Sequence, residues 1–68
     1  MEWRERLVSD PQTLHGKVRI RGTRIPVSVV LDNLAAGIRE GEILASYPSL
    51  THEDVRACLQ HAAEVDNR

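Results

Sequence analysis

The stretch from Gly16 to Pro26, GKVRIRGTRIP, limits what this chain can become more than any other. It sets Lys17, Arg19, Arg21 and Arg24 close together with no acidic residue between them, and the apolar run VSVVLDNLAAG follows at once. From Lys17 to Arg21 the order is Lys, Val, Arg, Ile, Arg. In a strand, where side chains alternate sides, this puts the cations on one face and Val18 and Ile20 on the other. Gly22-Thr23 breaks the strand, and proline biases Ile25 toward extended backbone, so Pro26 reads as the hinge into a helix. Such a ribbon has two uses. It is either a solvated edge strand kept from aggregating by its charges, or a surface that grips something anionic.

The chain is 68 residues long, near the lower size at which one core suffices without metal, disulfide or partner, so a partner is expected. With 41% hydrophobic and 28% charged residues it is ordinary for a globular domain, which argues against disorder. A single cysteine, Cys58, makes no internal disulfide and fits a reducing compartment. No apolar run reaches the roughly 18 residues of a membrane span, and the start, MEWRERLVSD, is charged rather than signal-like. A cytoplasmic location and no membrane contact are expected. The net charge of −1 hides a division. Residues 1–34 hold six Lys/Arg against four acids, whereas residues 35–68 hold three against six. A basic end and an acidic end thus face different partners.

In chain order, a short strand is expected near Arg6 to Val8, then a turn over Ser9 to Thr13 signalled by Asp10-Pro11, then Leu14 and the basic strand. Trp3 covers this hairpin or anchors a partner, and packing is the commoner role. Val27, Val30, Leu31, Leu34, Ala35 and Ile38 follow the spacing of one helical face, with Asp32 and Asn33 on the wet side. Gly37 ends this helix, which spans about Val27 to Ala36. A second helix runs from Arg39 to Tyr47 on Ile43, Leu44 and Tyr47, stopped by Pro48 and weakened by Gly41. Thr51 caps a third helix to about Glu64, where Glu53 and Asp54 favour the positive end of the dipole. Its core face is expected at Val55, Leu59 and Ala62, with Cys58 and Ala63 at the edges. The sum is one mainly α domain: a β-hairpin or basic arm over residues 1–26, then a three-helix, homeodomain-like helix-turn-helix bundle over residues 27–66.

His15, His52, His61 and Cys58 raise the question of a metal. Cys58 and His61 stand three apart on one helix, but no second pair accompanies them where a structural zinc needs four ligands, so no metal site is expected. Nor is there a nucleophile with a base and an orienting acid, and an enzyme is not expected. As a reading helix the third presents Thr51, His52, Arg56 and Gln60. Arg56 and Gln60 suit base edges or phosphate, while Glu53 and Asp54 repel the backbone. DNA affinity would then rest on Lys17, Arg19, Arg21 and Arg24, doubled in a dimer. The rival use of the arm is an acidic protein partner, because guanidinium groups bond carboxylates bidentately.

Across Leu7 to Ala63 the chain resembles domain-of-unknown-function family 433 (DUF433). The likeness is carried by Gly16-Lys17, Ile20-Arg21-Gly22-Thr23-Arg24-Ile25, Leu34-Ala35-Ala36-Gly37, Glu42-Ile43-Leu44, Tyr47-Pro48, Leu50-Thr51 and Asp54-Val55-Arg56. It implies an arm-bearing helix-turn-helix protein of bacteria or archaea, and an antitoxin paired with a PIN-like ribonuclease. The chain departs from the pattern at Val18, where proline is frequent, at Arg39, where a capping Ser or Thr is usual, and at Gly41, where Glu is usual. The expectation is therefore a homodimeric antitoxin that neutralises a PIN-like toxin and binds operator DNA through its arm, Lys17, Arg19, Arg21, Thr23 and Arg24, with Arg24 or Arg21 entering the toxin's metal site. The alternatives are a stand-alone DNA-binding regulator and a dimerisation module that binds no nucleic acid. No cofactor is implied.

Overall fold

The computed structural model describes residues 2–9 and 17–66. A turn of 3-10 helix, Trp3–Arg6, leads into β1 (Leu7–Ser9), which pairs antiparallel with β2 (Val18–Ile20) in the register Leu7 to Ile20, Val8 to Arg19 and Ser9 to Val18. Three helices follow: α1 (Val27–Ala35), α2 (Glu40–Ser46) and α3 (His52–Asp66). The architecture is a three-helix bundle carrying an N-terminal antiparallel hairpin. The expected turn over Ser9 to Thr13 and the positions of Leu14 and His15 fall largely or wholly outside the described residues.

The period-two pattern of the basic strand works as its spacing predicts. Ile20 is fully buried and Val18 half-buried on the inner side, while Lys17 and Arg21 are exposed and Arg19, between them, is half-buried. The chain then reverses in a turn in which the Thr23 amide donates to the Ile20 carbonyl at 3.0 Å and Gly22 holds φ at +80°. Only glycine enters that region without a Cβ penalty. Pro26 bridges back to Arg19 and occupies the N-cap of α1 with φ −68° and ψ 148°, so proline's fixed φ turns the chain from sheet to helix. At the far end Gly37, φ +88°, closes α1 in a Schellman arrangement. Its amide reaches the Leu34 carbonyl and the Ile38 amide reaches Asn33, both at 3.0 Å.

The core is built from Leu7, Ile20, Val27, Val30, Ile43, Leu50, Val55, Ala57 and Cys58, with Trp3, Leu31, Leu34, Ile38, Leu44 and Tyr47 packed around it. Ile20, Val30, Ile43 and Val55 are almost wholly removed from water, and each such side chain stabilises the fold by about 1.5–3 kcal/mol. Hairpin and helices therefore share one core. A two-stranded hairpin is marginal in water, and this one is held by Leu7 and Ile20 packing against the bundle.

Several expectations are corrected. The first strand starts one residue later than the composition suggests, because Trp3–Arg6 coils instead, capped by the Glu2 side chain accepting from the Arg4 amide at 3.2 Å. Asn33 is not on a wet face. It is half-buried, and its amide donates to the Val29 carbonyl at 2.7 Å, one turn back. Ala35 is exposed. On α3 the buried arc is Asp54, Val55, Ala57 and Cys58, whereas Leu59 is 43% exposed and Ala63 is exposed. The helix is rolled toward the N-terminal turn because a carboxylate, Asp54, occupies a place that apolar periodicity alone would not give it.

Candidate functional site

Three chain segments build the surface around the basic ribbon. The Gly22-Thr23 turn is fastened on both sides. The Thr23 hydroxyl donates to the Ile20 carbonyl at 2.8 Å and accepts from the Ile25 amide at 3.1 Å, while the Ile20 amide donates to the Ile25 carbonyl at 3.0 Å. Arg19 reaches along the turn to the Thr23 carbonyl at 3.2 Å. Arg21 turns the other way, its Nε donating to the Glu5 carbonyl at 2.6 Å and its backbone amide to the Arg6 carbonyl at 2.8 Å. Lys17 and Arg24 are exposed, and the structure gives neither a hydrogen bond nor an ion pair among the described residues.

The neighbouring arginines behave differently. Arg6 donates to Asp54 Oδ1 at 3.1 Å, with Asp54 only 7% exposed. The same carboxylate accepts the Thr51 amide on Oδ2 at 3.0 Å, and the Thr51 hydroxyl accepts the Asp54 amide at 3.3 Å. This is a capping box with aspartate at its third position. Thr51 thus caps α3 as its hydroxyl suggests, and Asp54, expected only as a charge near the dipole, closes the box and holds Arg6. Arg4 pairs with Glu64 and with Glu2, and its guanidinium lies 4.5 Å from the Trp3 ring centre. Trp3 meets the edge of His61 at 6.3 Å between centroids, so it packs on α3. Arg4 and Arg6 are thereby neutralised by the chain's own acids. For Lys17, Arg19, Arg21 and Arg24 no described carboxylate lies within ion-pairing distance.

The residues proposed for a reading helix, Thr51, His52, Arg56 and Gln60, are all exposed. His52, Arg56 and Gln60 recur every four residues and so share one face of α3. His52 Nδ1 lies 2.7 Å from Glu40 Oε2, tying the first residue of α3 to the first of α2. Asp54 is turned inward, while Glu53 is exposed at the start of α3 and the Glu40 carboxylate lies against His52 on this outward face. Cys58 is fully buried rather than at an edge. Burial, and secondarily the charge of Asp54, push its thiol up from 9.0 to about 11, against a smaller opposing backbone hydrogen bond. No three His, Cys, Asp or Glu among the described residues are grouped to hold a metal. No helix among the described residues is long and apolar enough to cross a membrane.

Sequence reasoning missed Arg6, Asp54 and the Glu5 carbonyl as parts of this surface. Thr51-His52-Glu53-Asp54 carried a signal in its spacing, since a short carboxylate three residues past a capping threonine is the box pattern. Nothing local marks Arg6, whose partner lies most of the chain away.

The fold and surface define a small helical bundle that displays a cationic turn from an N-terminal hairpin. The chain belongs to the family described as "Protein of unknown function (DUF433)", whose pattern matches residues 7–62. It is 42% identical over 59 residues to the "Uncharacterized protein y4eO" of Sinorhizobium fredii (strain NBRC 101917 / NGR234), a match covering 87% of this chain and 27% of that protein. The chain therefore spans about a quarter of the length of that relative. No solved structure matches it.

Proposed function

We propose that this chain is the antitoxin of a type II toxin–antitoxin pair, a cytoplasmic homodimer that binds and neutralises a PIN-like ribonuclease and binds the operator DNA of its own genes. One observation carries the reading: four cations on a fastened hairpin and turn have no described carboxylate partner, while Arg4 and Arg6 beside them are matched with acids. A positive surface left open next to neutralised neighbours suits an acidic partner. A PIN-type ribonuclease holds its metal with clustered carboxylates, and a guanidinium inserted there displaces the metal's charge and silences the site. The second reading, a DNA-binding regulator without a toxin, is favoured by the outward face of α3, where Arg56 and Gln60 stand exposed and Asp54 is withdrawn.

Co-purification with the product of the adjacent reading frame, with a ribonuclease assay and gel retardation of the upstream DNA at two salt concentrations, tests both. The antitoxin reading requires a stable complex and loss of ribonuclease activity. Retardation that weakens steeply with salt, with no protein complex, leaves the regulator. Neither result would leave a dimerisation module.

A further inference from the structure

We propose that the recess between β2, α1 and α3 is a binding site for a small organic carboxylate with an apolar body. The recess has a volume of about 260 Å³ and is lined by Lys17 and Val18 at the start of β2, by Val27, Ser28 and Leu31 of α1, and by His61 of α3. Val27 is buried, Val18, Leu31 and His61 are half-buried, and Lys17 and Ser28 are exposed. Three aliphatic side chains thus form a floor, and the polar groups stand at its rim. The opening exists because the hairpin outruns the core. Ile20 is sealed beneath the helices, while Val18, two residues earlier on the same face of the strand, is only partly covered. Past His61 a second recess of about 230 Å³ opens against Trp3, Leu7 and Glu64, and both Val18 and His61 line the two.

Charge decides which ligand suits the first recess. In the second, the Glu64 carboxylate is answered by Arg4. The first has no acid in its described lining, and Lys17 has neither a hydrogen bond nor an ion pair among the described residues. Ser28 stands in the opening turn of α1, which holds no acidic residue and no side-chain cap, so the helix adds to the positive field at the rim. The floor therefore takes an apolar body and the rim takes its anionic end. The volume lies below the roughly 300–1,000 Å³ of pockets for drug-sized ligands, which limits that body to about four to eight carbons. Arg21 and Arg24 are not in the lining, so this site stands or falls separately from the antitoxin reading.

Titration of the chain with acetate, butanoate, hexanoate and hexanamide tests the proposal, followed by amide chemical shifts and by the fluorescence of Trp3, the only tryptophan, whose ring meets the edge of His61. Hexanoate should saturate, with shifts centred on Val18, Ser28 and Leu31 and a change in Trp3 emission. From acetate upward, affinity should rise about two- to fourfold per methylene until the recess is full. Hexanamide and the Lys17→Gln variant should each bind about three- to fivefold more weakly, and Lys17→Arg should keep the parent affinity. Ser28→Phe, at an exposed helical position, should fill the recess, keep the helical circular dichroism and lose at least about tenfold in affinity. Equal binding of acetate and hexanoate would mean an adventitious ion only, and hexanamide binding as tightly as hexanoate would mean an unselective apolar face. Either result overturns the proposal, as does unchanged affinity in folded Ser28→Phe. It is equally overturned if the same amides shift on raising the protein concentration without ligand, since a second copy then covers the recess.

Discussion

Asp54 is nearly out of water yet satisfied twice over, by the Thr51 amide and by the Arg6 guanidinium. Removing its charge while leaving its shape strips the ion pair and weakens the box. Asp54→Asn should therefore cost about 1–3 kcal/mol in urea denaturation, less than a fully buried pair because Arg6 keeps 37% of its side chain in solvent. Four residues on, Cys58 feels the same carboxylate. Its thiol, raised from 9.0 to about 11, stays protonated in the native state where the unfolded chain has already lost the proton. This contribution to stability is complete below pH 9 and is lost as pH climbs toward 11. The melting temperature should fall across that window, and Cys58→Ala should remove that part of the slope. The native thiol should also resist a thiol reagent at pH 8, since the thiolate is the nucleophile.

The helices differ in how much of their stability is their own. α2 has seven residues, Arg39 at its N-cap gives no side-chain cap, and Gly41 lies inside it. A Cβ built at Gly41 meets nothing within 4 Å. Gly41→Ala should accordingly stabilise the protein by about 0.5–1 kcal/mol, raising the melting temperature by a few degrees. Thr51→Ala should do the reverse by about 0.5–2 kcal/mol, since the Asp54 amide in the first turn of α3 loses its acceptor. These elements were readable from local chemistry. Pro26, Gly37, Pro48 and Thr51 mark their boundaries by what each backbone can or cannot do, and the alternation from Lys17 to Arg21 placed Ile20 inward correctly. What was not readable depended on tertiary partners. The roll of α3 that exposes Leu59 and buries Asp54 follows from Arg6, and a period-3.6 pattern counts only apolar residues. Within the candidate site the cations were plain in the sequence, but the commitment of Arg21 to the Glu5 carbonyl follows from where the Trp3–Arg6 turn lies, and that of Arg19 from how the chain reverses at Gly22-Thr23.

Across the whole molecule, charge is divided so that the hairpin is positive and the helical half negative. A partner drawn to the hairpin should associate more slowly as ionic strength rises, by shorter reach of the field, while dissociation changes less. Stopped-flow mixing at two salt concentrations would register this as a drop confined mainly to the association rate.

The Arg6 residue sits at a crossing: its guanidinium grips the opening of α3, and its carbonyl takes the amide of Arg21 at the end of the ribbon. Neither the start of the last helix nor the end of the second strand can loosen without disturbing that one residue. Amide protons at Arg21 and Asp54, far apart along the chain, should consequently trade for deuterium at matched rates, opening together as one cooperative unit.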